Sequence, residues 1–218
     1  MANYFNLTDI MNAFHTEAKT LHNAFGGIGH VGKRLFICHY AKLLTNIHLK
    51  GNIVEIGTAR GDCVKLIGEN INESYNIHVF DTFEGLPDAT KEDQINENTK
   101  GGLYFSLNNV KNLIGNKKNI YYYKGLIEDT YKDLPDDIIL CHIDCDLYSG
   151  VYTSLKHVIP KLKPGGCIII DDYNNEYFKG VKKACIDIEN ELNVKIFDLY
   201  EYNNEKINSA QGIFCKQI

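Results

Sequence analysis

From residue 52 onward the chain alternates short apolar runs with longer stretches in which apolar residues recur every three or four positions. Short runs bounded by turn formers suit strands buried on both faces, and the stretches between them suit amphipathic helices. The strands predicted in this way are Asn52 to Ile56, Ile77 to Phe80, Ile120 to Tyr123, Ile138 to Ile143, Cys167 to Ile170, Lys195 to Tyr200 and Gly212 to Lys216. Helices fill the gaps at Cys63 to Glu69, around Leu107 to Leu113, Val151 to Leu162 and Val181 to Glu191. This alternation predicts an α/β fold: a mostly parallel sheet wound by crossover helices, with five parallel strands followed by two that finish one edge as an antiparallel pair.

The first fifty residues follow a different pattern. Apolar spacing predicts a helix from Asp9 to Phe25, ended by Gly26, Gly27 and Gly29, and a second from Lys33 to Asn46. Residues 1–50 therefore read as a helical extension, with a lid role, and residues 51–218 as the main domain. Leu86 to Tyr104 is polar and lacks either period; it follows a strand end, where a lid or binding loop belongs.

Composition narrows the picture. With 218 residues, 44% of them hydrophobic, the chain can bury one good core. A formal charge of −5 with scattered lysines gives no footprint for nucleic acid. There is no basic, then apolar, leader at the N-terminus and no run of membrane-spanning length, so the expectation is a soluble, cytoplasmic protein without a membrane partner. Seven cysteines without a Cys-x-x-Cys pair read as reduced core thiols.

Two places carry chemistry. In the first, Ile53-Val54-Glu55-Ile56 runs into Gly57-Thr58-Ala59-Arg60-Gly61 and then a helix, while Asp81 closes the next strand twenty residues on. Glycines at such a turn let backbone approach a ligand, and an acid at Asp81 can accept hydrogen bonds from a ribose diol. Only two glycines are present, which favours an adenosine-type cofactor without phosphates. Gly27-Ile28-Gly29-His30-Val31-Gly32 also fits a dinucleotide pattern, but a helix precedes it and Arg34 stands where a phosphate loop needs Ser or Thr. It is read as a helix end followed by a mobile segment near the site.

In the second, the run ending at Ile143 leads into Asp144-Cys145-Asp146, and the run ending at Ile170 into Asp171-Asp172-Tyr173. Strand alternation sends Asp144 and Asp146 to one side, and parallel strands bring both ends to one sheet edge. Four carboxylates gathered there repel one another unless a hard cation such as Mg²⁺ joins them. Asp144, Asp171 and Asp172 are the expected metal ligands and Asp146 the general base. His142, of the same parity, is the weaker candidate base.

These residues resemble the macrocin O-methyltransferase (TylF/MycF/NovP) family. The resemblance rests on the Glu55 to Gly61 segment, on Phe80-Asp81-Thr82-Phe83-Glu84-Gly85-Leu86-Pro87, on Gly125-Leu126-Ile127-Glu128-Asp129-Thr130, on Asp144-Cys145-Asp146-Leu147-Tyr148, and on Lys163-Pro164-Gly165-Gly166 leading to Asp171-Asp172-Tyr173. It implies a class I methyltransferase (Rossmann-like) fold and Mg²⁺-assisted methyl transfer from S-adenosylmethionine to a sugar or glycoside hydroxyl. It places Glu55, Gly57 and Gly61 around the donor's methionine part, Asp81 at its ribose and Glu128 and Asp129 beside adenine, with Thr58, Thr82, Phe83 and Asp144 also among the cofactor-binding residues. It carries a possible homodimer with it. Cys145 and Ser149-Gly150-Val151 depart from the family's usual Gly and Glu-Ser-Thr. The competing expectations are a catechol-type O-methyltransferase, a nicotinamide-dependent oxidoreductase and a silent donor-binding module.

Overall fold

The computed structural model describes residues 30–95, 98–199, 201–202, 205–206 and 211–217, the backbone alone for 30–32, 201–202 and 205–206. The expected helix from Asp9 to Phe25 and the glycines after it lie outside these residues. Helix α1 (His30–Asn46) leads into β1 (Asn52–Ile56), α2 (Asp62–Asn70), β2 (Ile77–Asp81), α3 (Leu107–Ile114) and β3 (Ile120–Lys124). Then come α4 (Ile127–Thr130), β4 (Ile138–Ile143), α5 (Tyr148–Lys161), β5 (Leu162–Ile170), α6 (Lys179–Leu192), β6 (Phe197–Asp198), β7 (Glu201–Tyr202), β8 (Glu205–Lys206) and β9 (Gly212–Cys215).

The main sheet has seven strands in the order β3-β2-β1-β4-β5-β9-β6. The first five run parallel, while β9 pairs antiparallel with both β5 and β6. This is the predicted arrangement, with β9 inserted between β5 and β6. Strand β5 begins five residues earlier than expected: Leu162 already pairs with Ile138, and the ladder resumes at Cys167 opposite Leu140 after a bulge in which Gly165 has φ +82°. Gly166 allows that: a Cβ there would sit 2.9 Å from the Ile139 carbonyl oxygen.

Side-chain parity divides the core into two layers. Ile53, Ile77, Leu140, Cys167 and Ile169 face α1, α2 and α3. Val54, Phe80, Cys141, Ile168 and Ile170 face α4, α5 and α6. Burial of both faces explains why β4, entirely buried, carries an unbroken apolar run up to His142. Helix α1 is part of the first layer: Phe36, Ile37, Ala41 and Leu44 are all buried against the sheet side of α2. Gly32, in the decoy glycine pattern, belongs to the first turn of that helix and not to a loop.

The parallel topology puts the C-terminal ends of β1, β2, β4 and β5 on one edge. The residues flagged by sequence therefore converge there without any special contact being needed.

Candidate active site

A cavity of about 540 Å³ opens at this edge, a size suited to a small organic ligand. Its walls include Gly57, Asp81, Thr82 and Glu128 on one side and Asp144, Asp146, Asp171 and Asp172 on the other. A small side pocket behind Asp144 and Asp171 is lined by Glu55, Thr58, Cys63 and His142, together with Lys33 of α1.

The turn after β1 is built by Gly57, at φ +82°, where a Cβ would lie 2.0 Å from the Asp144 carbonyl oxygen. No side chain fits between the two strand ends. Gly57→Ala combines that clash with a left-handed backbone, and is expected to cost about 2–4 kcal/mol of stability. Thermal unfolding of the variant beside wild type measures this directly; equal melting temperatures would refute it. Gly61 has a different job. It precedes α2 at φ +93°, and a Cβ would press on Val110 of α3 at 2.9 Å, so it packs helices together and does not line the cavity.

Asp81 fastens the turn. Its Oδ2 accepts hydrogen bonds from the Thr58 and Ala59 amides (2.7 and 3.1 Å) and its Oδ1 from the Phe83 amide (2.7 Å). Burial pushes its pKa up, and these amides oppose that rise. Both lone pairs of Oδ2 are thereby used, leaving Oδ1 to meet a ligand hydroxyl. Thr82 donates to the Gly85 carbonyl (2.7 Å) and shapes the next turn. Phe83 stands at φ +52° with its ring in the core, away from the cavity, so only its backbone serves the site. Glu128 accepts a short hydrogen bond from Ser149 Oγ at the cavity wall, whereas Asp129 is exposed and outside the lining.

The acidic rim follows from strand parity plus two left-handed residues. Glu55, His142, Asp144 and Asp171 all have the parity that faces α1, and oxygens or ring nitrogens of His142, Asp144 and Asp171 come within 4.8 Å of one another. The expectation that strand alternation aims Asp146 is corrected here: β4 ends at Ile143, and Asp146 sits beyond it at φ +61°. Asp172 likewise has φ +56°. These turns swing both side chains back, so that Asp144, Asp146 and Asp172 form a second group within 4.8 Å.

Crowding of buried carboxylates has the electrostatic result expected of it. Burial, then the field of Asp171, raises Asp144 to about 7; burial, then Asp144 and Asp172, raises Asp146 to about 9. The group of Asp144, Asp146 and Asp172 offers only hard oxygen ligands, which fits a Mg²⁺-like ion better than a soft metal.

Two positive groups face this rim: Lys33, which the sequence does not place at the site, and His142, which it offers only as the weaker candidate base. Lys33 reaches from α1 to Asp171 Oδ1 (2.6 Å) and Asp172 Oδ1 (3.7 Å). A signal existed: Lys33 lies one turn before buried Ile37, on the inward stripe of α1. His142 Nδ1 donates to Glu55 Oε1 (2.8 Å), and Thr58 Oγ1 donates to Glu55 Oε2 (2.6 Å). Burial opposes charge on His142, but the Glu55 hydrogen bond and the fields of Glu55, Asp144 and Asp171 prevail and hold it up at about 9. An imidazolium so engaged is a structural counter-ion to Glu55 and a poor base. On the far wall, Tyr177 and Phe178 meet edge to face at 4.8 Å between ring centroids.

Comparison with known proteins agrees with this architecture. The sequence profile of the macrocin-O-methyltransferase (TylF) family matches residues 31–214. Demethyldecarbamoylnovobiocin O-methyltransferase of Streptomyces niveus is 26% identical over 143 residues, 58% of this chain and 54% of that protein. Mycinamicin III 3''-O-methyltransferase of Micromonospora griseorubida is 25% identical over 141 residues, 56% and 55% of the two chains. This chain thus spans about half the length of the curated relatives it matches. Among solved structures, the O-methyltransferase NovP superposes with a TM-score of 0.72 at 19% identity, covering 85% of this chain and 80% of that one. The Bacillus cereus O-methyltransferase in complex with SAH gives 0.55 at 15% identity, covering 94% and 91%. The sheet and its flanking helices are therefore those of the Rossmann-like class I methyltransferases, and the chain belongs to the macrocin-O-methyltransferase family.

Proposed function

We propose that this chain transfers a methyl group from S-adenosylmethionine to a hydroxyl of a sugar or glycosylated small molecule, with Mg²⁺ or a similar ion at the acidic rim and Asp146 as general base. The observation that carries the proposal is one cavity flanked by the Gly57 turn with Asp81 and by a group of carboxylates whose oxygens converge within 4.8 Å. The activities for which the relatives are named, a novobiocin-type and a mycinamicin O-methyltransferase, support the reaction class.

On this reading Gly57 lets the donor lie against the backbone, Oδ1 of Asp81 takes a ribose hydroxyl, and Glu128 borders the base. Glu55 is the wall of the side pocket, fixed there by His142 and Thr58. Asp144, Asp172 and Asp171 would hold the ion; the geometry groups the first two directly with Asp146, and Asp171 is shared with Lys33. A bound divalent cation supplies the positive charge that ionises these carboxyls and acidifies an adjacent hydroxyl. Asp146, only 7% exposed, then takes the acceptor's proton. Methyl transfer itself asks of the protein mainly alignment of oxygen, methyl and sulfur in one line, which two ligand sites on one rigid sheet edge provide.

The test is incubation with labelled donor, Mg²⁺ and a panel of glycosides and catechols, the products weighed for one added methyl. Methylated glycosides are expected. Turnover of catechols with none of sugars would overturn the acceptor, and full activity in EDTA would remove the cation.

A further inference from the structure

A lysine stem ordinarily carries its charge out to water. Lys33 does the reverse. Its ammonium lies 2.6 Å from Asp171 Oδ1 and 3.7 Å from Asp172 Oδ1, and the three side chains are 13%, 9% and 14% exposed. A nearly buried positive charge thus sits between two of the aspartates proposed to hold the divalent ion.

An ion joining Asp171 to Asp172 cannot share that position. Mg²⁺ binds carboxylate oxygens at about 2.0–2.1 Å and sets its ligands tightly around itself. On the oxygen that Lys33 already meets, it would stand no more than about 5 Å from the ammonium, where burial leaves the repulsion poorly screened. One of the two must leave, and the carboxylates are held in place. Asp171 continues β5, its amide donating to the Ile143 carbonyl at 2.8 Å, and Asn175 Nδ2 donates to Asp172 Oδ1 at 2.9 Å.

Lys33 is held less firmly. It belongs to the first turn of α1, directly after Gly32, and a glycine weakens the turn that contains it. Residues 36–38 are buried, whereas residues 33–35 are half-buried. The neighbouring tie, Arg34 to Asp62 at 3.4 Å, is a partly exposed ion pair of little strength. Lys33 and Arg34 both line the cavity and the side pocket behind Asp144, so a shift of this turn is felt in both.

We propose that Lys33 and the divalent ion are alternative occupants of Asp171 and Asp172, so that arrival of the ion releases Lys33 and loosens the first turn of α1. The proposal rests on the cation site described above and adds its regulation. Without the ion the chain neutralises part of its own rim and ties α1 across it; with the ion that tie is cut, and the rest of α1 stays anchored through Phe36, Ile37, Ala41 and Leu44.

The test titrates MgCl₂ by calorimetry, at one pH, into wild type and Lys33→Met, which keeps an unbranched stem suited to a helix and removes the charge. The Kd for Mg²⁺ is expected to be at least about tenfold lower in the variant, the effect of deleting one competing ion pair. An equal or higher Kd in the variant overturns the proposal. A second measurement needs no variant: in wild type the amides of Arg34, Leu35 and Phe36 are expected to exchange hydrogen faster with saturating Mg²⁺ than with EDTA, and those of Ile37 to Leu44 no faster. Unchanged or slower exchange at residues 34–36 overturns the proposal even if the variant fails to fold. Mg²⁺ binding to neither protein would defeat the cation site itself, whereas binding of equal strength to both leaves that site standing and defeats only the exchange with Lys33.

Discussion

Asp146→Asn is expected to lower kcat by about 10²–10⁴-fold, the usual worth of a positioned proton acceptor, while S-adenosylhomocysteine binds as it does to wild type. Asparagine has the same shape and tolerates the left-handed backbone that this position requires, so the fold has no reason to change. What it loses is the capacity to take a proton. Without metal Asp146 is already protonated at neutral pH, so the neutral amide leaves the charge of the group unchanged and the variant is expected to melt no lower than wild type. Steady-state kinetics and calorimetry together check this. Wild-type kcat would remove Asp146 from the chemistry, and lost donor binding would make it structural.

The second large effect concerns the cation and pH. In the metal-free protein Asp144 and Asp146 hold protons to about pH 7 and about pH 9, whereas in the unfolded chain they release them near the ordinary carboxyl value of 3.8. The native state thus binds more protons across this interval, and stability falls as pH rises from about 4 to about 9. His142 adds to the same slope, because its stabilising charge is lost as pH rises through about 9. A cation on the rim reverses the trend for the carboxyls. At one hundred times its Kd, Mg²⁺ adds about 2.7 kcal/mol, or roughly 5–10 °C in Tm for a domain of this size. Asp172→Ala is expected to abolish most of that gain. Melting curves from pH 5 to pH 9, with EDTA or Mg²⁺, give the answer: identical Tm under both conditions would sink the cation site.

Much of this architecture was legible in the sequence because both sheet faces are buried. Continuous apolar runs ending in Asp144 and in Asp171 could hardly be anything but interior strands meeting the edge, and the seven strands follow from them. The gathering of the four acids was legible for the same reason, but the route was not. Parity aims Asp144 and Asp171, whereas Asp146 and Asp172 depend on left-handed residues that no hydrophobic pattern announces. Phe83 misleads in the opposite way: it lies inside a motif read as donor-binding, yet its ring is buried in the core layer that faces α1, α2 and α3. Lys33 escaped notice because a lone lysine on a helix ordinarily reads as a solvated face. Its depth appears only once α1 is laid over the strand ends.

The polar stretch after β2 has a knot in the middle. Asp93, 1% exposed, accepts from Thr90 N–H at 2.7 Å through one oxygen and from Tyr148 N–H at 2.7 Å through the other. Only a glycine at 180 makes room for it, since a Cβ there would meet its carboxylate at 1.9 Å. The arms on either side of this fixed stud are also tied to each other, Leu86 exchanging backbone hydrogen bonds with Gly101 and Gly102 (2.9 and 2.8 Å) and Thr99 donating to the Pro87 carbonyl (2.7 Å). A substitution in one arm is therefore felt by the other, and Asp93 and Gly180 can only be inherited together. Because the stud is riveted to the backbone only two positions past Asp146, losing it would loosen the stretch after β2 and the acidic turn in a single stroke.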